Sequence, residues 1–140
     1  MKLEDILRDK GAAVHAIAPS ETLRRVVDLL VEHNCGALVV LDGDRMAGII
    51  SERDVLKACA ELDEPLAARV QERMSTGLVT AAPHDDLEHV MGLMTQHRIR
   101  HLPVIDDGVL AGVISIGDIV KAQHADLTSE NRLLKQYIRS

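Results

Sequence analysis

Shifted against itself by 64 residues, the sequence matches its own second half: Ala18-Pro19 falls on Ala82-Pro83, Leu23 on Leu87, Val26 on Val90, Leu29 on Leu93 and His33 on His97. The match continues without a gap. Leu38, Val40 and Asp42 fall on Leu102, Val104 and Asp106, while Ala47-Gly48, Ile50-Ser51, Asp54 and Lys57-Ala58 fall on Ala111-Gly112, Ile114-Ser115, Asp118 and Lys121-Ala122. Sixteen of the 41 aligned positions are identical. Similarity at one fixed offset means a duplicated unit, and two copies are too few for an open solenoid, which usually needs three or more. A closed pair, each half covering the other's apolar face, is the architecture this predicts.

Within each copy the periodicity changes in the same order. A short apolar strand over 14–17 or 78–81 stops at Pro19 or Pro83. A helix follows, with Leu23, Val26, Val27, Leu30 and Val31 at helical spacing in the first copy and Leu87, Val90, Met91 and Met94 in the second. Two β-branched runs at 38–41 and 47–50 flank Asp42-Gly43-Asp44, a hairpin signal repeated at Asp106-Asp107-Gly108. A second helix, 52–61 or 116–124, closes each unit. The order β-α-β-β-α defines an α+β unit with a small sheet against two helices. The expected division is 1–63 for an N-terminal helix (2–10) and the first repeat, 64–73 for a linker helix (66–73), 74–125 for the second repeat and 126–140 for a C-terminal helix (127–139). That last helix carries an apolar side of Leu127, Leu133, Leu134, Tyr137 and Ile138 beside Glu130, Arg132 and Lys135.

Composition narrows the function. Of 140 residues 46% are hydrophobic, enough for a core, yet the chain has no Trp or Phe and a single Tyr, so aliphatic side chains must fill the interior and no aromatic ring is at hand to stack on a base. A net charge of −6 without clustered Lys and Arg argues against a nucleic-acid partner. No apolar run reaches the ~18 residues of a membrane span, and the charged N-terminal stretch is no signal sequence, so a cytoplasmic protein is expected. Cys35 and Cys59 fit neither a redox nor a zinc spacing and read as small core residues in a reducing compartment. His33 and His97 fall near helix C-termini, where positive charge is favoured. His15, His84, His89 and His124 form no ligand set, and no metal site is expected. With no Walker loop, nucleophile elbow or zincin motif, no catalytic residue and no catalytic cofactor are expected either.

Duplicated β-α-β-β-α units, each with Gly-x-x-Ser-x-x-Asp at the end of its third strand, resemble the cystathionine-β-synthase (CBS) domain pair, or Bateman module, over nearly the whole chain. The motif stands at Gly48-Ile49-Ile50-Ser51-Glu52-Arg53-Asp54 and at Gly112-Val113-Ile114-Ser115-Ile116-Gly117-Asp118, joined by Arg100-His101-Leu102-Pro103-Val104 before the second hairpin. The resemblance implies two repeats packed with pseudo-twofold symmetry, two clefts between them, and pairing of two modules as a homodimer.

Ser-x-x-Asp before a helix is by itself a capping box, which needs no ligand. The same place is also fit for one, since helix N-termini carry unpartnered amides and a carboxylate can accept two hydrogen bonds from a ribose diol. The resemblance assigns ribose to Asp54 and Asp118, and ribose or phosphate to Ser51 and Ser115. It places the base in aliphatic slots, Val14, Ala16, Ala37 and Leu38 in one cleft and Leu78, Thr80, Leu102 and Pro103 in the other, all of which are also ordinary core positions. Arg100 and His101 stand where the first repeat has Gly36-Ala37, and Arg53 stands where the second has Gly117, so the two clefts are expected to differ. In the family, basic residues at the Arg100 and His101 positions meet phosphates.

The function implied is a regulatory module that binds AMP, ADP, ATP or NAD, with S-adenosylmethionine in the same class, and signals to an unidentified protein target through a homodimer. A ligand shifts such a module only if it binds two shapes unequally. The alternative is a dimeric scaffold or adaptor independent of nucleotide.

Overall fold

The computed structural model describes residues 1–11 and 14–139. Residue 140, the end of the expected C-terminal segment, lies outside them. In chain order the elements are α1 (Leu3–Lys10), β1 (Ala16–Ile17), α2 (Leu23–His33), β2 (Ala37–Asp42), β3 (Arg45–Ser51), α3 (Glu52–Glu61), a 3-10 turn at Pro65–Ala67, α4 (Val70–Arg73), α5 (Leu87–His97), β4 (His101–Asp106), β5 (Val109–Ser115) and α6 (Ile116–Arg139). The chain is α+β and folds as two compact units, one spanning 13–78 and the other joining 1–12 to 79–140.

In the first unit β1 runs parallel to β2, pairing Ala16 with Val39 and Ile17 with Val40, and β2 pairs antiparallel with β3. Gly43, at φ 63°, turns the hairpin, and a bulge lets Leu41 pair with Met46 after Val40 has paired with Gly48. Leu23, Val26 and Leu30 of α2 and Val55 and Ala58 of α3 close over Leu38, Val40 and Ile50 in an aliphatic core. The helical face is narrower than the spacing implied: Val31 is 76% exposed. Cys35 packs against this core, whereas Cys59 lies on the exposed side of α3.

The second unit repeats the hairpin, its bulge and its helical cover, with Leu87, Val90 and Met94 over Leu102, Val104 and Ile114. Its expected first strand, 78–81, shrinks to one bridge between Ala81 and Val104. The reason is Pro103. In the first unit the amide of Val39 donates to the His15 carbonyl at 3.0 Å; Pro103 holds the equivalent position and has no amide to donate. The helices expected at 116–124 and 127–139 are one continuous α6, since Ala125 and Asp126 supply neither Gly nor Pro to break it.

The division expected at residue 63 follows the chain, but the contacts follow another order. Segment 1–7 docks on the second unit in the same way that segment 68–74 docks on the first. Leu3 N donates to Asp85 O and Val70 N to Glu21 O; Glu4 N donates to Pro83 O and Gln71 N to Pro19 O; Leu87 N donates to Met1 O and Leu23 N to Ala68 O. Leu3 and Val70 are each fully buried by this docking. It also draws Ala68 and Arg69 into an extended conformation, which splits the expected linker helix into the 3-10 turn and the four-residue α4. The duplication therefore includes these leading segments, at an offset of 67 residues, where sequence identity no longer reveals it.

Each docked segment passes over a glycine of the third strand. A Cβ on Gly48 would stand 2.5 Å from the Ser75 carbonyl oxygen, and one on Gly112 would stand 2.6 Å from the Leu7 Cδ2 methyl. A methyl tip can rotate away where a hydrogen-bonded carbonyl cannot. Gly48→Ala is expected to destabilise the fold by about 1–3 kcal/mol and Gly112→Ala by less than about 1 kcal/mol, measured by urea unfolding of the two variants.

Candidate ligand site

The site in each repeat is built at the handover from third strand to last helix. Ser51 ends β3 in extended conformation and caps α3. Its amide donates to Asp54 Oδ2 at 2.9 Å, its hydroxyl donates to the same oxygen at 3.1 Å, and the Asp54 amide donates back to Ser51 Oγ at 3.4 Å. In the second repeat Ser115 N donates to Asp118 Oδ2 at 2.9 Å and Asp118 N to Ser115 Oγ at 3.1 Å. The capping box is thus present in both copies. It engages one oxygen of each carboxylate; the described hydrogen bonds leave Oδ1 of Asp54 and of Asp118 without a protein donor. Both side chains are half-buried at the surface of their units. Capping and ligand contact therefore do not compete for the same atom.

The start of the second strand is tied to the same place. Glu52 N donates to Gly36 O at 3.0 Å and Ile116 N to Arg100 O at 2.9 Å, while Ala37 pairs across the sheet with Ser51 and His101 with Ser115. Arg100 and His101 therefore gather with Ser115 and Asp118 in one unit, and Ala37 with Ser51, Arg53 and Asp54 in the other. Arg53 is exposed in the first turn of α3 and forms no ion pair among the described residues.

The expected base-binding residues separate. Val14 is half-buried, and Ala16 and Thr80 are exposed, so they can offer their side chains to a ligand. Leu78 is half-buried at the end of the first unit, in the position equivalent to Val14. Leu38, Leu102 and Pro103 are buried, the two leucines inside the cores, and only their backbone could meet a ligand. Among the described residues no three His, Cys, Asp or Glu side chains come together as a metal site, and no helix is long and apolar enough to cross a membrane. Two of the histidines do meet: the rings of His15 and His33 stack at a centroid distance of 3.8 Å.

One residue at the site was not expected. Lys10, the last residue of α1, sends its ammonium to Asp118 Oδ2 at 2.7 Å and to the Val113 carbonyl at 2.8 Å. Burial alone would raise the Asp118 carboxyl, but hydrogen bonds from Lys10 and Ser115, with the Lys10 charge, outweigh it and hold the group below the ordinary aspartate value. No sequence signal pointed to Lys10, because the contact spans more than a hundred residues and depends on how α1 docks.

The family model for the CBS domain matches residues 3–61 and again 68–125. The chain belongs to the CBS-domain family. Each matched unit begins with the segment that docks on the other compact unit, which reconciles the sequence repeat with the packing. The chain is 31% identical over 120 residues to the CBS domain-containing protein YhcV of Bacillus subtilis, covering 86% of each. It matches the crystal structure of the CBS-domain containing protein ATU1752 from Agrobacterium tumefaciens with a TM-score of 0.86 and 36% identity, over 88% of this chain and 99% of that one. The CBS domain pair of protein MJ0100, solved in complex with 5′-methylthioadenosine and S-adenosyl-L-methionine, matches with a TM-score of 0.78 and 25% identity over 90% of this chain and 98% of that one.

The lowered Asp118 value fixes the sign of a pH dependence. A carboxyl whose folded pKa lies below its unfolded value, about 3.9, contributes stability that is complete above the unfolded value and is lost as pH falls through the folded one. Lys10→Met should raise the Asp118 pKa and remove much of that acid-limb dependence, read by NMR titration of the Asp118 carboxyl in both proteins.

Proposed function

We propose that this CBS pair is a non-catalytic sensor that binds an adenosine-bearing ligand, AMP, ADP, ATP or NAD, and reports its occupancy to a protein target through a homodimer. The observation that carries this reading is the state of the two motif aspartates. Each is oriented by its own cap, half-buried, and left with one carboxylate oxygen to accept a ribose hydroxyl. The adenosine moiety held by the related MJ0100 pair supports the ligand class, and Val14 and Ala16 provide small aliphatic surface for a base where the chain has no Phe or Trp to stack on one.

The dimer is supported by α6. Ile116, Val120, Leu127, Leu134 and Ile138 form a single exposed row along the helix, since at 3.6 residues per turn they fall within a narrow arc. Val120, Leu127 and Leu134 repeat every seven residues. Asn131 lies in the same seam, and Glu130 and Lys135 flank it with the five-residue separation that lets opposite charges meet between two parallel copies. A second copy of this helix satisfies both the apolar row and its charged edges.

Two measurements test the two halves of the proposal. In a thermal-shift screen of nucleotide-stripped protein, saturation at roughly a hundredfold the dissociation constant adds about 2.7 kcal/mol, a rise of several degrees. Adenine-bearing ligands should give this shift, guanosine nucleotides should not, and Asp54→Ala with Asp118→Ala should lose it while remaining folded. No shift with any adenosine compound would leave the nucleotide-independent scaffold as the function. In light scattering the wild type should run at twice the chain mass and the Leu127→Lys, Leu134→Lys double variant at the chain mass; a double variant that stays dimeric would move the interface off α6.

A further inference from the structure

Beyond Arg53 at the first site and Arg100 and His101 at the second, the second site carries one further cation, Lys10, whose origin can be traced to the docked leading segments. In the first unit the segment after α4 is extended, so Ser75 pairs with β3: Ser75 N donates to Ile49 O at 2.8 Å and Ile49 N to Ser75 O at 3.1 Å. Among the described residues Asp54 is then met only by its own cap. In the second unit the equivalent segment stays helical through Lys10, and among the described residues no backbone amide from it reaches Val113, the counterpart of Ile49. The Lys10 ammonium takes that carbonyl instead, at 2.8 Å, and from there also holds Asp118 Oδ2 at 2.7 Å. The counterpart of Lys10 at the 67-residue offset is Gly77, which has no side chain to do the same.

Resting on the nucleotide reading above, we propose that Lys10 is the specificity-determining residue of the second repeat, selecting phosphorylated adenosine over uncharged adenosine or a sulfonium such as S-adenosylmethionine. A lone carboxylate repels phosphate and welcomes a sulfonium; with an ammonium 2.7 Å away the Asp118 charge is compensated and that preference is removed, leaving the ammonium's own N–H groups to favour an oxyanion. Two acceptors fix the ammonium at the site, and it carries a third N–H that neither of them uses. The Lys10 side chain is 35% exposed. Apart from its chain neighbours and its own helix backbone, a Cβ on Gly117 would find nothing nearer than Ser115 Oγ at 3.6 Å, which leaves room beside Ser115 for an oxyanion. A 5′-phosphate lies one sugar ring from hydroxyls held by Asp118, within the swing of the lysine's four-carbon stem. Among the described residues Asp54 has no such partner, and the cation beside it, Arg53, is exposed and held by no acceptor, so the first site lacks an ammonium fixed at the carboxylate.

The test is calorimetric titration of the full chain carrying Asp54→Ala, which isolates the second site, with AMP and with adenosine, before and after adding Lys10→Met or Lys10→Arg. Expected is a loss of about tenfold or more for AMP in the Met variant, about 1.4 kcal/mol, with less than about twofold change for adenosine and recovery of AMP affinity in the Arg variant. Equal changes for both ligands would overturn the proposal, because a structural or blocking role for Lys10 does not distinguish them. If the Asp54→Ala chain binds neither compound while remaining folded, the nucleotide reading of this site fails and the inference falls with it.

Discussion

Asp54 and Asp118 each tie back the amide three residues upstream with one carboxylate oxygen, and strand end, helix start and candidate site all hang on that bond. The carboxylate partners the serine amide where the strand stops, and the serine hydroxyl returns the bond to the aspartate amide and caps the helix. Because the bond is to Oδ2 in both copies, the carboxylate cannot rotate freely, and its other oxygen is held in a fixed direction. A structural duty thus preorganises a binding group: removing the aspartate would loosen the helix start as well as the site.

The packing beneath this point tolerates little variation because it is aliphatic throughout. Without rings to span gaps, neighbouring elements must approach closely, and the close approaches fall at Gly48 and Gly112, under the docked segments. Those segments bring in Leu3 and Val70 to complete the cores. The first unit is finished by a segment of its own continuous run, 68–74, and the second by the remote stretch 1–7, so each core is closed by the segment that precedes the other repeat in the chain.

Divergence between the copies has been placed by single residues. Pro103 removes an amide and reduces a strand to a bridge. A helix that continues to Lys10 where its counterpart stops at Arg73 exchanges a backbone pairing for an ammonium. The first change leaves the core intact because it deletes one edge hydrogen bond; the second alters the charge of a site because the replacing group is a cation.

The sequence by itself determined the repeat, the element order, the hairpins and the motif positions. These depend on local periodicity and turn chemistry, which identical residues such as Asp42 and Asp106, or Ser51 and Ser115, display openly. It placed Ser51 with Asp54 and Ser115 with Asp118 for the same reason, since a cap joins neighbours in the chain. What only the tertiary structure decided was everything that depends on remote contacts. Leu38 and Leu102 proved to be core because burial of a strand residue depends on what covers its face. Segment 1–7 went to the second unit because backbone pairing with 83–87 carries no side-chain signature. Lys10 reached Asp118 because a helix direction, not a motif, sets where the end of a lysine falls.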